Sequence, residues 1–175
     1  MKNNMMIKNS LKYFGFVLIF IFSFLLFLPK ENIYFYYLER LQHKPITVQN
    51  EEISSKAFKF SITNGDVFYK DINAFKVENI DIEYFLVYGN IVATGILFDG
   101  LKIDDMEFSW SVLNPLRFDI SIISNDLNGY GTYNIKNRNF ELYLKPTAPV
   151  AKKYELFFNQ GELTKDGEYK IEYNL

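Results

Sequence analysis

The 175 residues contain no cysteine, so disulfides, thiolate metal sites and cysteine nucleophiles are excluded together. Histidine is nearly as scarce. His43, in LQHKP, is the only one, and no Ser, Cys or Asp arrangement around it resembles a nucleophile motif. It reads as a solvated linker residue. The patterns G-x-S-x-G, H-E-x-x-H and C-x-x-C are missing, and so is a phosphate-cradling glycine loop. GYG at residues 129 to 131 has no helix after it, so its glycines suit a bulge or a close backbone crossing instead. No catalytic residue, cofactor-binding residue, metal ligand or cofactor is expected, and the chain reads as non-enzymatic.

Carboxylates are present, but their spacing argues against a shared ion. Glu51-Glu52 and Asp104-Asp105 are adjacent, and adjacent strand residues point to opposite faces. Asp81 and Glu83 share a face, and Asp66 and Asp71 flank an expected turn, yet neither pair has the spacing of a calcium loop. Solvated faces account for all of them. Lys2, Lys8 and Lys12 supply three of the 19 cations and precede every acid, which leaves the rest of the chain acidic by five charges. Such a balance provides no footprint for a phosphate backbone, so nucleic acid is not an expected partner.

Long uncharged runs occur once. Tyr13 to Leu28, YFGFVLIFIFSFLLFL, covers about 24 Å as a helix, slightly short of a hydrocarbon core of roughly 30 Å. A cleaved signal would show small residues just after the run, and LPKENIYFYYLER offers none. The run therefore predicts an uncleaved transmembrane anchor over residues 13–30, in contact with a lipid bilayer, behind a basic cytoplasmic start at 1–12. Tyr34, Phe35, Tyr36 and Tyr37 follow in a juxtamembrane linker or short helix, 31–45, where such rings suit a membrane interface.

What the chain has in excess is aromatic: 18 Phe and 13 Tyr, a composition that favours sheets. From residue 46 to 175 apolar side chains recur with period two, the mark of strands with one buried face. Examples are Phe58, Phe60 and Ile62; Ile80, Ile82, Tyr84, Leu86 and Tyr88; Phe108, Trp110 and Val112; Leu116, Phe118, Ile120 and Ile122. Phe140, Leu142 and Leu144 follow, then Tyr154, Leu156 and Phe158, and last Tyr169, Ile171 and Tyr173. Asn64-Gly65, Gly89-Asn90, Asp99-Gly100, Asn128-Gly129 and Asp166-Gly167 are the expected tight turns. No segment of this region shows a period of 3.6, and KPTAPVAKK, 145–153, reads as a loop before a closing hairpin. The predicted fold is all-β and antiparallel: a strongly curved sheet, a β-sandwich or a half-barrel, preceded by one transmembrane helix.

Two local signals bear on function. In IDIEYFLVYG, residues 80 to 89, the second face turns apolar at Phe85 and Val87, which demands a second layer, a partner or a lipid chain. Trp110, the only tryptophan, lies before the Leu113-Asn114-Pro115 break, on one face with Phe108 and Val112. It belongs either to a core or to the lining of a groove. Tyr84, Phe85, Val87 and Trp110 are thus the candidate apolar groove or partner surface.

The order of features resembles the N component of the type II secretion system: an anchor ending in Leu-Pro, then NGDVFY, FSWSVLNPLRFDISI and NGYGTYNI. Phe68, Tyr69 and Lys70 depart from that family's pattern, which has a Trp-Ser-Gly-like segment there. The resemblance implies a single-pass bacterial inner-membrane protein with a periplasmic β domain, a scaffold or accessory component with envelope protein partners. The same features are similar to AsmA-like and LptC-like proteins, which implies instead an apolar groove and a lipid or lipopolysaccharide ligand.

Overall fold

The computed structural model describes residues 2–42 and 44–174, with side chains for 12–24, 26–41 and 44–174. His43 lies outside the described residues. Two helices come first, α1 (Lys2–Phe27) and α2 (Lys30–Gln42), separated by Leu28 and Pro29. Proline removes an amide donor and disfavours helical backbone in the residue before it, so the break falls where the sequence places it. On α1 every described side chain from Phe16 to Phe22 is exposed, so the helix is apolar all round and not along one stripe. Among the described residues no helix is long and apolar enough to cross a membrane.

The strands are β1 (Ile46–Gln49), β2 (Glu52–Lys56), β3 (Lys59–Tyr69), β4 (Ile72–Phe85), β5 (Tyr88–Phe98), β6 (Leu101–Ser111), β7 (Asn114–Ile123), β8 (Leu127–Asn134) and β9 (Asn139–Pro146). After two short helices, α3 (Ala148–Lys153) and α4 (Glu155–Phe158), come β10 (Glu162–Leu163) and β11 (Tyr169–Asn174). The described residues form one antiparallel sheet of 11 strands in the order β1-β3-β4-β5-β6-β7-β8-β9-β11-β10, with β2 also on β3. The first and last strands do not pair, so the sheet is open and is neither a closed barrel nor two sheets. β1 and β2 lie end to end along the same edge of β3, joined through Asn50, whose φ is +63°.

Register explains why the two faces differ so strongly. Phe60, Ile82, Ile91, Phe108, Ile120, Gly131, Leu142 and Ile171 pair in turn across eight strands. Ile62, Ile80, Ala93, Met106, Ile122, Gly129, Leu144 and Tyr169 form a second such row on the same face. The row between them points the other way and begins Ser61, Asp81, Val92, Glu107 and Ser121. One face is therefore almost wholly apolar and the other predominantly polar.

The core forms where helices cover the apolar face. Leu101, Ile120, Ile122, Leu127, Leu144 and Ile171 pack with Val150 of α3 and Phe158 of α4. At the opposite edge Tyr34 of α2 lies on Phe60, with ring centroids 5.6 Å apart. Between these covers Ile91 stays exposed and Phe108 and Trp110 are half-buried. The accessible surface is 12717 Å², against about 8,900 Å² for a compact monomer of 20.7 kDa.

Several expectations need correction. Residues 148–158 are helical, not a loop followed by the strand Tyr154, Leu156, Phe158. Pro149 sits in the first turn, where a missing N–H costs nothing, and Val150, Tyr154 and Phe158 are spaced by four. Asn64-Gly65, Gly89-Asn90 and Asn128-Gly129 lie inside strands. The turns that replace them are Lys70-Asp71, Leu86-Val87 and the segment from Ser124 to Asp126. Asp99-Gly100 and Asp166-Gly167 are turns as expected, with positive φ at Asp99, Gly100 and Gly167. The run from Ile80 to Tyr88 is not one strand: Phe85 pairs with Tyr88 around Leu86-Val87.

A further irregularity crosses four strands at one level. Apolar residues recur at Phe75, Val77, then Ile80, Ile82; at Ile91, Ala93, then Ile96, Phe98; and at Leu101, Ile103, then Met106, Phe108. Each series slips by one residue. The pairing skips Asn64 and Glu78 between β3 and β4, and Gly95 and Asp104 between β5 and β6. Asn64 and Gly95 have φ of +59° and +62°, which resets the alternation of side chains. Leu101 accordingly joins the cluster that holds Ile120 and Ile122, although strict alternation from Met106 would turn it away.

Candidate functional site

Trp110 pairs with Gly89, and its indole lies across the glycine on the apolar face. A Cβ at Gly89 would stand 2.5 Å from Trp110 Cε2 and closer still to Nε1. The glycine is there for close approach, which is why it does not make a turn. Tyr84 pairs with Gly89 from the other side, so Tyr84, Gly89 and Trp110 form a third row of the apolar face. Val87 and Phe85 belong to the hairpin tip, exposed by 59% and 49%, and not to a second buried face. The structure thus brings Tyr84 and Trp110 to one face and sets Phe85 and Val87 at its end.

At that end lies an open recess of about 440 Å³ lined by Lys56, Phe58, Lys59, Tyr84, Phe85 and Tyr88 among others. Phe58 stacks edge-on with Phe85, with centroids 5.4 Å apart, and it also meets Phe22 of α1 at 5.4 Å. Lys30, at the start of α2, donates to the Lys56 carbonyl at 2.8 Å and sits over the Tyr84 ring. The helical pair and the sheet therefore meet at the mouth of the β4–β5 hairpin.

A second, more apolar cavity of about 480 Å³ opens at the other end of the same face. Phe98, Leu101, Leu127, Val150, Phe157 and Phe158 line it, with Tyr154 and Asp99 at its edge. The Tyr154 hydroxyl donates to the Asp99 carbonyl at 3.2 Å, and Lys153 bridges to the Asp99 carboxylate at 3.1 Å, so α3 is tied to the β5–β6 turn. Sequence reasoning missed this site because it treated Tyr154 and Phe158 as strand residues. The spacing of four from Val150 was the available signal.

The acidic groups are engaged in ion pairs on the polar face. Lys59 bridges Asp81 at 2.9 Å and Glu83 at 3.2 Å, and Ser61 Oγ donates to Asp81 at 2.6 Å. Burial pushes the Asp81 carboxyl up, but donation from Lys59, Ser61 and Asn79 outweighs it and holds the pKa below the ordinary value. The bonds to Asp81 and Glu83 raise that of Lys59 in turn. Asp66 accepts from Asn50 at 2.7 Å and pairs with Lys76 at 3.1 Å, which lowers its pKa, while Asp71 lies apart in the turn. Tyr34 is pushed up to about 12 by burial and by Glu51 beside it. Among the described residues no group of His, Asp and Glu side chains has the arrangement of a metal site. What the molecule presents is an apolar surface with two recesses.

No family model, no curated protein and no solved structure matches the chain.

Proposed function

We propose that the chain is a non-catalytic, membrane-anchored binding protein of the bacterial envelope that accommodates lipid acyl chains on the apolar face of its open sheet. The carrying observation is the 480 Å³ cavity beneath α3 and α4, in the size range of small-molecule sites and almost free of polar lining. An acyl chain needs this chemistry, because each methylene moved out of water contributes about 0.8 kcal/mol and no polar group has to be satisfied. The incompletely covered row at Ile91, Phe108 and Trp110 extends the same surface. Anchoring by residues 13–30, with the sheet on the periplasmic side, is part of the proposal. Its support is the all-round exposure of the apolar residues of α1, which water does not tolerate and a bilayer does.

The test uses the full chain purified in mild detergent. Lipid extraction and mass spectrometry should find phospholipid or lipopolysaccharide in stoichiometric amount, and cis-parinaric acid should displace it with a rise in fluorescence. Phe157→Glu, a charge at the cavity wall, should reduce uptake about tenfold or more, since a charge on an apolar ligand must be desolvated. A β-structured, lipid-free protein that takes up no probe overturns the reading.

A second reading, an accessory of an envelope secretion apparatus, is favoured by one edge of the sheet. β10 pairs only with Tyr169 and Lys170 of β11, so Ile171 to Asn174 have no strand on their outer side among the described residues. Such an edge can receive a strand from a partner protein. Photocrosslinking from position 172 in membranes should then capture a discrete envelope protein, and capture of nothing counts against it.

A further inference from the structure

Antiparallel connectivity sends alternate turns to opposite ends of the sheet. At one end lie the β3–β4, β5–β6 and β7–β8 turns, Lys70-Asp71, Asp99-Gly100 and the segment from Ser124 to Asp126. These have the polar residues that turns favour, although Ile72 is exposed beside one of them. At the other end the turns are Ala57-Phe58, Leu86-Val87 and Val112-Leu113, followed by Ile135 at the start of the β8–β9 turn. None of the first three contains Gly, Asn, Asp, Ser or Pro. Leu113 is 97% exposed, and Val87, Val112 and Leu116 are exposed around it. The Val112 amide donates to the Val87 carbonyl at 3.0 Å, so the two tips form one surface. A departure from turn chemistry repeated at one end only is a sign of function rather than folding.

We infer that this end of the sheet docks into the surface of the lipid bilayer beside α1, so that the apolar face opens directly onto the membrane. The inference rests on the reading of α1 as an anchor. The occupant follows from continuity and charge. Phe22 of α1, Phe58 of the β2–β3 turn and Phe85 of the β4–β5 tip form an unbroken aromatic contact. Phe22 precedes the end of α1 by five residues, about 7.5 Å of helix, which places the tips at the depth of roughly 5–10 Å typical of interfacial insertion. Lys56, Lys136 and Arg138 flank the tips and have no salt bridge among the described residues, while Lys59 and Arg117 are matched by Glu83 and Asp119. The rim is thus cationic on a domain that is acidic overall, as a surface for anionic headgroups requires. Tyr84 and Tyr88 stand behind the tips, where amphipathic rings suit the interface.

The absence of cysteine makes the test direct. Spin labels are placed one at a time through Leu113→Cys, Val87→Cys and, at the polar end, Asp99→Cys in the full chain. Each protein is reconstituted in vesicles of phosphatidylethanolamine and phosphatidylglycerol. Oxygen concentrates in hydrocarbon and a nickel chelate in water. The ratio of oxygen to nickel accessibility should be about tenfold higher for both tip labels than for the Asp99→Cys label. Tip labels as open to nickel as the Asp99→Cys label, in protein that resists carbonate extraction, overturn the inference and leave the anchor standing. Tip labels shielded from both reagents mean cover by a second copy, which also overturns it. Extraction by carbonate removes the anchor reading and this inference with it.

Discussion

Gly89→Ala asks whether the indole of Trp110 really rests on the sheet. The new methyl would stand 2.5 Å from Cε2 and 3.0 Å from Cδ1, so the ring has to leave its place on β5. Glycine at position 89 is buried by that ring, and Tyr84 and Trp110 pair with it from the two neighbouring strands. Overpacking of this kind costs about 1–3 kcal/mol, which for a chain of this length lowers the melting temperature by roughly 2–12 °C. Because Trp110 is the only tryptophan, its emission reports the displacement without interference and should move to longer wavelength as the indole enters water. Gly65→Ala is the control. It also lies inside a strand, but its Cβ would meet nothing within 4 Å, so a change of no more than about 0.5 kcal/mol is expected. Measurement is by fluorescence and thermal circular dichroism in mild detergent. If Gly89→Ala melts with Gly65→Ala and emits like wild type, the close packing of Trp110 on β5 is wrong.

Three further outcomes follow from the sheet. Gly131→Ala should cost at least about 2–3 kcal/mol in urea unfolding, since its Cβ would lie 3.0 Å from Leu142 Cα and closer still to the Glu141 carbonyl, backbone that cannot step aside; an unchanged midpoint refutes the close β8–β9 approach. Ile171→Ala, at a residue only 2% exposed, should lose about 2–5 kcal/mol, whereas a loss under about 1 kcal/mol means that α4 does not cover β11. Asp81 has a lowered pKa, so its contribution is present above the unfolded value of about 3.9 and is lost as pH falls through the folded one. Wild type should therefore lose more stability than Asp81→Asn between about pH 5 and 2, and parallel curves would contradict the Lys59–Asp81 pairing.

Much of the sheet was legible because side-chain alternation is a local property. Ser109 and Ser111 around Trp110, and Arg117, Asp119 and Ser121 among Phe118, Ile120 and Ile122, declare a wet face and a dry one without reference to any other strand. The break at Leu113, Asn114 and Pro115 was equally plain, and β6 and β7 do meet there. The candidate surface was legible only in part. Tyr84 and Trp110 share the apolar face, but Phe85 and Val87 do not form a second one, since a two-residue apolar turn and a continuing strand have the same pattern. Glycine misled for a related reason: Gly89 and Gly129 serve side chains that lie over them, Trp110 and Leu144, and nothing in the neighbouring sequence announces those partners.

The sequence by itself determined the apolar run at the N-terminus, the antiparallel all-β character of the rest and the strong polarity of its two faces, because composition and period act over a few residues. Only the tertiary structure decided that the sheet stays open, that Val150, Tyr154 and Phe158 fold as helix over it, and that the apolar turns gather at the end where α1 arrives. Those outcomes depend on pairing between residues far apart in the chain. Phe60 and Ile171 occupy one row across eight strands, and no local pattern specifies a register of that length.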